Sequence, residues 1–226
     1  AENRDLLLIR AWEEAKVPVR VMSGEEEGEL SFRGALSGVR VPEDEPVILC
    51  DVGGGSTELI IGDGAGRVRR AVSMPFGAVR LAAAQGMEGG LAGTLSELRS
   101  QLTGFVHEVA PEVRFRGSRA TLLCVGGTAT TLAALDQRMT HYEPERITGY
   151  KVSGERLTFW LQSLMEMDAE ARSRLAGMPS GRADIMPFGL MILAEVFQAW
   201  QPWTGQELVV SDNDLLHGAL LGLWGQ

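Results

Sequence analysis

Residues 51–59 read Asp-Val-Gly-Gly-Gly-Ser-Thr-Glu-Leu, directly after the apolar run Val47-Ile48-Leu49-Cys50 and before Ile60-Ile61. Two buried strands joined by three glycines constrain the fold strongly. The turn must be tight, and its backbone, free of Cβ atoms, can approach a ligand closely. N–H groups exposed by such a turn form a concavity suited to phosphate oxygens. Asp51 and Glu58 bracket the loop and are oxygen ligands suited to a hard cation such as Mg²⁺. Strand alternation puts Ser56 and Glu58 on one face and Leu59 and Ile61 on the other, so one side is polar and the other faces a core. A plain glycine-rich hairpin would explain the glycines alone. The flanking acids and a second glycine loop favour phosphate chemistry.

That second loop is Cys124-Val125-Gly126-Gly127-Thr128, a buried strand running into a small-residue helix, Ala129 to Leu135. Free N–H groups and the helix dipole suit a phosphate there, although close strand–helix packing accounts for the small residues equally well. Ser23 with Glu26 forms a capping box at the start of a helix ending near Gly38. Glu27, one turn before Leu30, faces inward and is positioned to take a proton from a water. Arg80 and Arg182 are candidate phosphate clamps, a solvated helix arginine and a structural ion pair being the respective alternatives. Asp184 is the expected N-cap of the long apolar helix 185–200, with Pro187 in its first turn.

The remaining pattern predicts helices near 2–15, 77–86, 91–109, 153–165 and 212–224. Strands are expected at 19–22, 47–52, 56–62, 67–73, 120–125 and 207–210, with a polar connector, Val41 to Pro46, as the best boundary. A strand meander followed by alternating helices and strands indicates an α/β domain with a mixed sheet.

With 226 residues, 45% hydrophobic and 23% charged, the chain is of globular composition. Its formal net charge of −9 argues against general nucleic-acid binding. Cys50 and Cys124 read as small buried hydrophobes in a reducing cytoplasm, and no segment is long and apolar enough for a membrane span. The chain opens at Ala1 inside a helical pattern and is expected to be a piece of a longer protein.

Five segments occur in an order that resembles the exopolyphosphatase/guanosine pentaphosphatase (Ppx/GppA) family. They are Ser23 to Glu27, Asp51 to Leu59, Gly77 to Leu81, Val125 to Thr128 and Arg182 to Ile185. The resemblance implies the actin-like ATPase (ribonuclease H-like) fold, with residues 1–49 as the end of domain I and 50–226 as domain II. It also implies hydrolysis of the terminal phosphoanhydride of polyphosphate or guanosine pentaphosphate with Mg²⁺. By resemblance, Glu27 activates the water, with Glu58 the second catalytic candidate. Asp51 and Glu58 surround metal and phosphate, while Gly53, Gly54, Gly55, Ser56, Gly126, Gly127, Thr128 and Arg80 form the phosphate-binding set.

Glu29 replaces a basic residue common in the family, and Leu216-His217 stand where Arg-Glu is usual. These departures leave a non-catalytic alarmone-binding regulator as one alternative, and a kinase or ATPase of the same superfamily is another. The chain alone is expected to be inactive, lacking one wall of the interdomain cleft. Apolar helix positions Leu6, Ile9 and Trp12 suggest self-association as a homodimer or by domain exchange.

Overall fold

The strand-forming run at residues 46–52 meets residues 57–63 in an antiparallel hairpin, β1 (Pro46–Val52) and β2 (Thr57–Asp63), and β3 (Val68–Met74) extends the meander. The computed structural model describes residues 4–16, 19, 21–87, 89–113 and 119–224. Beyond the meander come α3 (Ala78–Ala84), α4 (Gly90–Val113), β4 (Thr121–Val125) and α5 (Gly126–Asp136). They are followed by α6 (Pro144–Ile147), β5 (Lys151–Ser153), α7 (Gly154–Glu166) and α8 (Ala169–Ser173). The chain then forms α9 (Met186–Thr204), β6 (Glu207–Val210) and α10 (Leu215–Trp224); α1 (Arg4–Ala15) and α2 (Gly24–Leu36) precede the sheet.

The six strands order as β3-β2-β1-β4-β6-β5, with β1, β4 and β6 parallel and the outer strands antiparallel. This is the mixed sheet expected from the sequence. Period-two alternation sorts the side chains. Ile48, Cys50, Leu59, Ile61, Leu122 and Cys124 face the main core with α3, α4, α5, α7 and α9, while Val47, Leu49, Ile60, Leu123 and Val125 pack on Phe32 and Ala35 of α2. Cys50 and Cys124 are register partners and fully buried. The hydrogen bond between the two thiols, aided by burial, pushes Cys50 well above its ordinary range. They are buried small side chains, as the sequence indicates.

The capping box forms: the Ser23 hydroxyl accepts from Glu26 N–H at 3.1 Å, and the Glu26 carboxylate accepts from Ser23 N–H at 2.9 Å. At the other end of α2, Gly34 lets α10 cross closely. A Cβ on Gly34 would lie 1.9 Å from the Asp214 carbonyl oxygen, and one on Gly218 1.9 Å from that of Leu30. On α1, Leu6, Ile9 and Trp12 are each 54% exposed. Among the described residues no helix is long and apolar enough to cross a membrane.

Several local expectations need correction. Val19, Val21 and Met22 form no strand, and Arg20 lies outside the described residues, as do residues 2–3 and the Val17-Pro18 end of the first helix. Asp184 does not cap α9. Residues 182–185 already wind into a turn, with Ile185 and Met186 N–H donating to the Arg182 carbonyl, so Ile185 occupies the cap position without a side-chain bond. The last helix starts at Leu215 because the Asp214 carboxylate accepts from Leu216 N–H at 2.9 Å. Short α6, α8 and β5 carry too few residues for a periodic signal.

Candidate functional site

The carboxyl ends of parallel β1 and β4 set the site, since Asp51 is the register partner of Val125 and both glycine loops begin at that edge. In the first loop, Gly53 N–H donates to the Ser56 carbonyl at 3.0 Å, closing the hairpin. The Gly53 carbonyl accepts from Ala78 N–H at 2.9 Å and the Gly54 carbonyl from Val79 N–H at 2.9 Å. Each peptide is planar and trans, so the N–H of Gly54 and of Gly55 must point away from α3. Gly77 makes this seat: a Cβ there would fall 2.4 Å from Gly54 backbone atoms. A Cβ on Gly55 would meet nothing within 4 Å, so this residue faces open space.

The second loop winds directly into α5, whose first-turn N–H groups have no intrahelical acceptors and whose N-cap, Val125, supplies no side-chain bond. Gly126 takes φ +76°, and a Cβ on it would lie 2.1 Å from Asp51 Oδ1. Only glycine admits both that backbone and the adjacent carboxylate. Thr128 Oγ1 donates to the Val52 carbonyl at 3.0 Å, joining the loops. The two loops therefore lie side by side.

Two clefts meet along the Asp51–Gly126 contact. One, of about 660 Å³, is lined by Glu27 of α2, Asp51, Glu58, and Arg69, Arg70 and Ser73 of β3. The other, of about 580 Å³, is lined by Gly126, Gly127, Thr130, Tyr142, Arg182 and Asp214, among others. Gly53–Ser56 lines neither cleft directly, and neither does Arg80. Arg80 sits on the exposed side of α3 with Nη1 3.4 Å from the Pro75 carbonyl. Thr128 is 5% exposed, its hydroxyl turned inward.

Burial, then the negative charges of Glu58 and Asp214, raise Asp51 to about 6. Asp51 and Glu58 are register partners on antiparallel strands, and Glu58 Oε1 accepts from Ser73 Oγ at 2.7 Å. Among the described residues no three His, Cys, Asp or Glu side chains cluster closely enough to hold a metal. Two carboxylates nevertheless suit Mg²⁺, which commonly takes one or two from protein and completes its shell with water and substrate phosphate.

Arg182 emerges more strongly than its sequence context indicated. Its guanidinium lies on Gly127, where a Cβ would fall 1.6 Å from Nη1. Among the described residues no carboxylate pairs with it. Tyr142 donates to Asp212 across the same cleft, and burial together with that bond pushes its hydroxyl above the ordinary range. Tyr142, Arg69, Arg70 and Ser73 have no local motif to single them out. Ser73 is found only once the β2–β3 register, Glu58 opposite Ser73, is known.

A family model described as the Ppx/GppA phosphatase family matches residues 1–225. Exopolyphosphatase 2 of Mycobacterium tuberculosis is 35% identical over 208 residues, covering 91% of this chain and 64% of that protein. A bifunctional 3-dehydroquinate synthase/phosphatase of Fusobacterium nucleatum is 26% identical over 225 residues, 97% of this chain and 32% of that protein. The crystal structure of the Aquifex aeolicus Ppx/GppA family member superposes with a TM-score of 0.81 at 26% identity, covering 99% of this chain and 70% of that one. A type II variant of the A. aeolicus Ppx/GppA phosphatase gives a TM-score of 0.80 at 27% identity, with 98% and 71% covered. The chain thus spans less than two thirds of the length of the first two relatives and about 70% of the two crystal structures. Its mixed sheet flanked by helices is that of the actin-like ATPase fold.

Proposed function

The chain belongs to the Ppx/GppA phosphatase family, and from that membership together with the site geometry we propose that the protein is a phosphohydrolase. It releases the terminal phosphate of inorganic polyphosphate, with guanosine pentaphosphate as the nucleotide substrate of the same class. The observation that carries the proposal is the junction of Asp51 and Gly126, where one carboxylate sits against the start of α5 and beside the hairpin loop. The arrangement supports an anionic phosphoryl group held by backbone N–H groups, with carboxylates on its flank. The same proposal divides the chain into residues 1–49, the end of actin-like domain I, and residues 50–226, domain II.

In this reading the N–H groups of Gly54, Gly55, Gly126 and Gly127 take the phosphoryl oxygens, and Arg182 adds a charged, forked donor at Gly127. Ser56 and Thr128 belong to the same loops, the latter through its backbone. Glu27, across the cleft from Asp51, accepts the proton of a water aligned with the terminal phosphorus. Glu58 is held by Ser73 and is the second candidate for that proton. Asp51 and Glu58 would hold Mg²⁺, which supplies charge neutralisation for the leaving phosphate when bound. Burial first, and then the negative charges of Glu58 and Asp214, raise Asp51, and a bound cation would offset both.

The test is phosphate release from polyphosphate and from guanosine pentaphosphate by the full-length protein, with Mg²⁺ and with chelator. Mg²⁺-dependent release supports the enzyme. Tight binding of either substrate without release would favour a sensor in its place.

A further inference from the structure

Thr128 stands among the loop residues, yet its hydroxyl is spent on the protein. Oγ1 is 3.0 Å from the Val52 carbonyl, and the side chain is buried. Val52 is the last residue of β1, so this bond ties the first turn of α5 to one stem of the hairpin loop. The other stem is held similarly: Thr57 Oγ1 donates to the Phe76 carbonyl at 2.6 Å, just before α3. Behind Thr128 stands Gly189 of α9, where a Cβ would fall 2.7 Å from Oγ1 and 2.9 Å from Cγ2. The absence of a side chain at 189 leaves Thr128 room to reach Val52.

We propose that Thr128 is a positioning residue that sets the distance between the two N–H loops through the Val52 carbonyl. The inference rests on the phosphohydrolase reading above. N–H groups stabilise a transition state only where they are already aimed, and a misplacement of about 1 Å can cost roughly a hundredfold in rate. A severed strut lets α5 and the hairpin drift apart without removing any group that touches substrate. The chemical step then suffers more than ground-state binding.

The experiment compares wild type, Thr128→Val, Thr128→Ser and Gly189→Ala in steady-state phosphate release from polyphosphate with Mg²⁺, each also unfolded in denaturant. Valine keeps the volume and loses the donor, serine keeps the donor, and alanine at 189 presses on Thr128 from behind. The expected result is a fall in kcat of about tenfold or more for Thr128→Val, with KM changed less than about threefold. Thr128→Ser should return kcat to near wild type, and Gly189→Ala should lower it. Should Thr128→Val fail to fold, the Ser and Gly189→Ala pair decides: wild-type kcat in Gly189→Ala overturns the strut. Normal kcat per folded molecule in Thr128→Val, or a rise in KM at constant kcat, also overturns it. All four are made in the full-length protein, and absence of phosphate release by full-length wild type would instead reject the phosphohydrolase reading beneath it.

Discussion

Asp51 and Gly126 touch across the β1–β4 ladder, and the contact leaves no space for a methyl group: a Cβ on Gly126 would lie 2.1 Å from the Asp51 carboxylate oxygen. The strand that delivers the acid and the strand that delivers the helix N-terminus are thereby locked in one register. The site's most polar group and its least bulky one are neighbours for that reason.

Gly126→Ala is accordingly expected to be costly. The residue sits at φ +76°, where a side chain costs of order 1–3 kcal/mol, and the new methyl must displace Asp51 as well. Denaturant unfolding should register a loss of at least that order, with phosphate release falling alongside. A variant of wild-type stability would mean that β4 shifts freely against β1.

Asp51→Asn separates charge from shape. Asp51 is raised to about 6 from 3.8, so the fold prefers its protonated form. The resulting contribution to stability is full below about pH 4 and is lost as pH rises through about 6. Asparagine carries no charge to strain at any pH. In metal-free buffer the variant should be more stable than wild type at pH 7–8, by an amount on the order of 3 kcal/mol, and the gap should close towards pH 4. Added Mg²⁺ should stabilise wild type and leave the variant unchanged. Unfolding curves at several pH values, with and without Mg²⁺, measure both effects.

Much of this was legible before any coordinates. The hairpin, the β4–α5 unit and the capping box each announce themselves through local chemistry, namely glycines between apolar runs or Ser23 three residues before Glu26. The adjacency of the loops follows once β1 and β4 are both read as buried strands of one sheet. What stayed hidden is non-local. Ser73 meets Glu58 only through strand register, Tyr142 meets Asp212 across 70 residues of chain, and the inward turn of Thr128 depends on Gly189 in another helix. Arg80 is the converse: its segment carries the family resemblance, yet its guanidinium lies by Pro75 outside both clefts. Arg182, a candidate for either a phosphate clamp or a structural ion pair, has no carboxylate partner among the described residues.

Arg182→Ala should therefore weaken substrate capture more than it disturbs the fold. A charge-assisted contact to phosphate contributes roughly 1.5–3 kcal/mol, so KM should rise about 10-fold to 100-fold with a small change in unfolding midpoint. Arg182→Lys should recover only part of it, because the planar fork is lost. Steady-state kinetics on polyphosphate give both numbers. An unchanged KM in the alanine variant would remove Arg182 from the site.

Glu27 is the residue on which the hydrolytic account turns. It lines the same cleft as Asp51 and Glu58, at the start of α2, and makes no side-chain hydrogen bond among the described residues. Glutamine in its place keeps the shape and removes the proton-accepting oxygen. The most direct measurement is the turnover of polyphosphate by Glu27→Gln beside wild type, in the same Mg²⁺ buffer, with substrate affinity measured separately. The account predicts a kcat lower by about 10²–10⁴-fold and an affinity within about threefold of wild type. Turnover near the wild-type rate would contradict it and pass the role of base to Glu58.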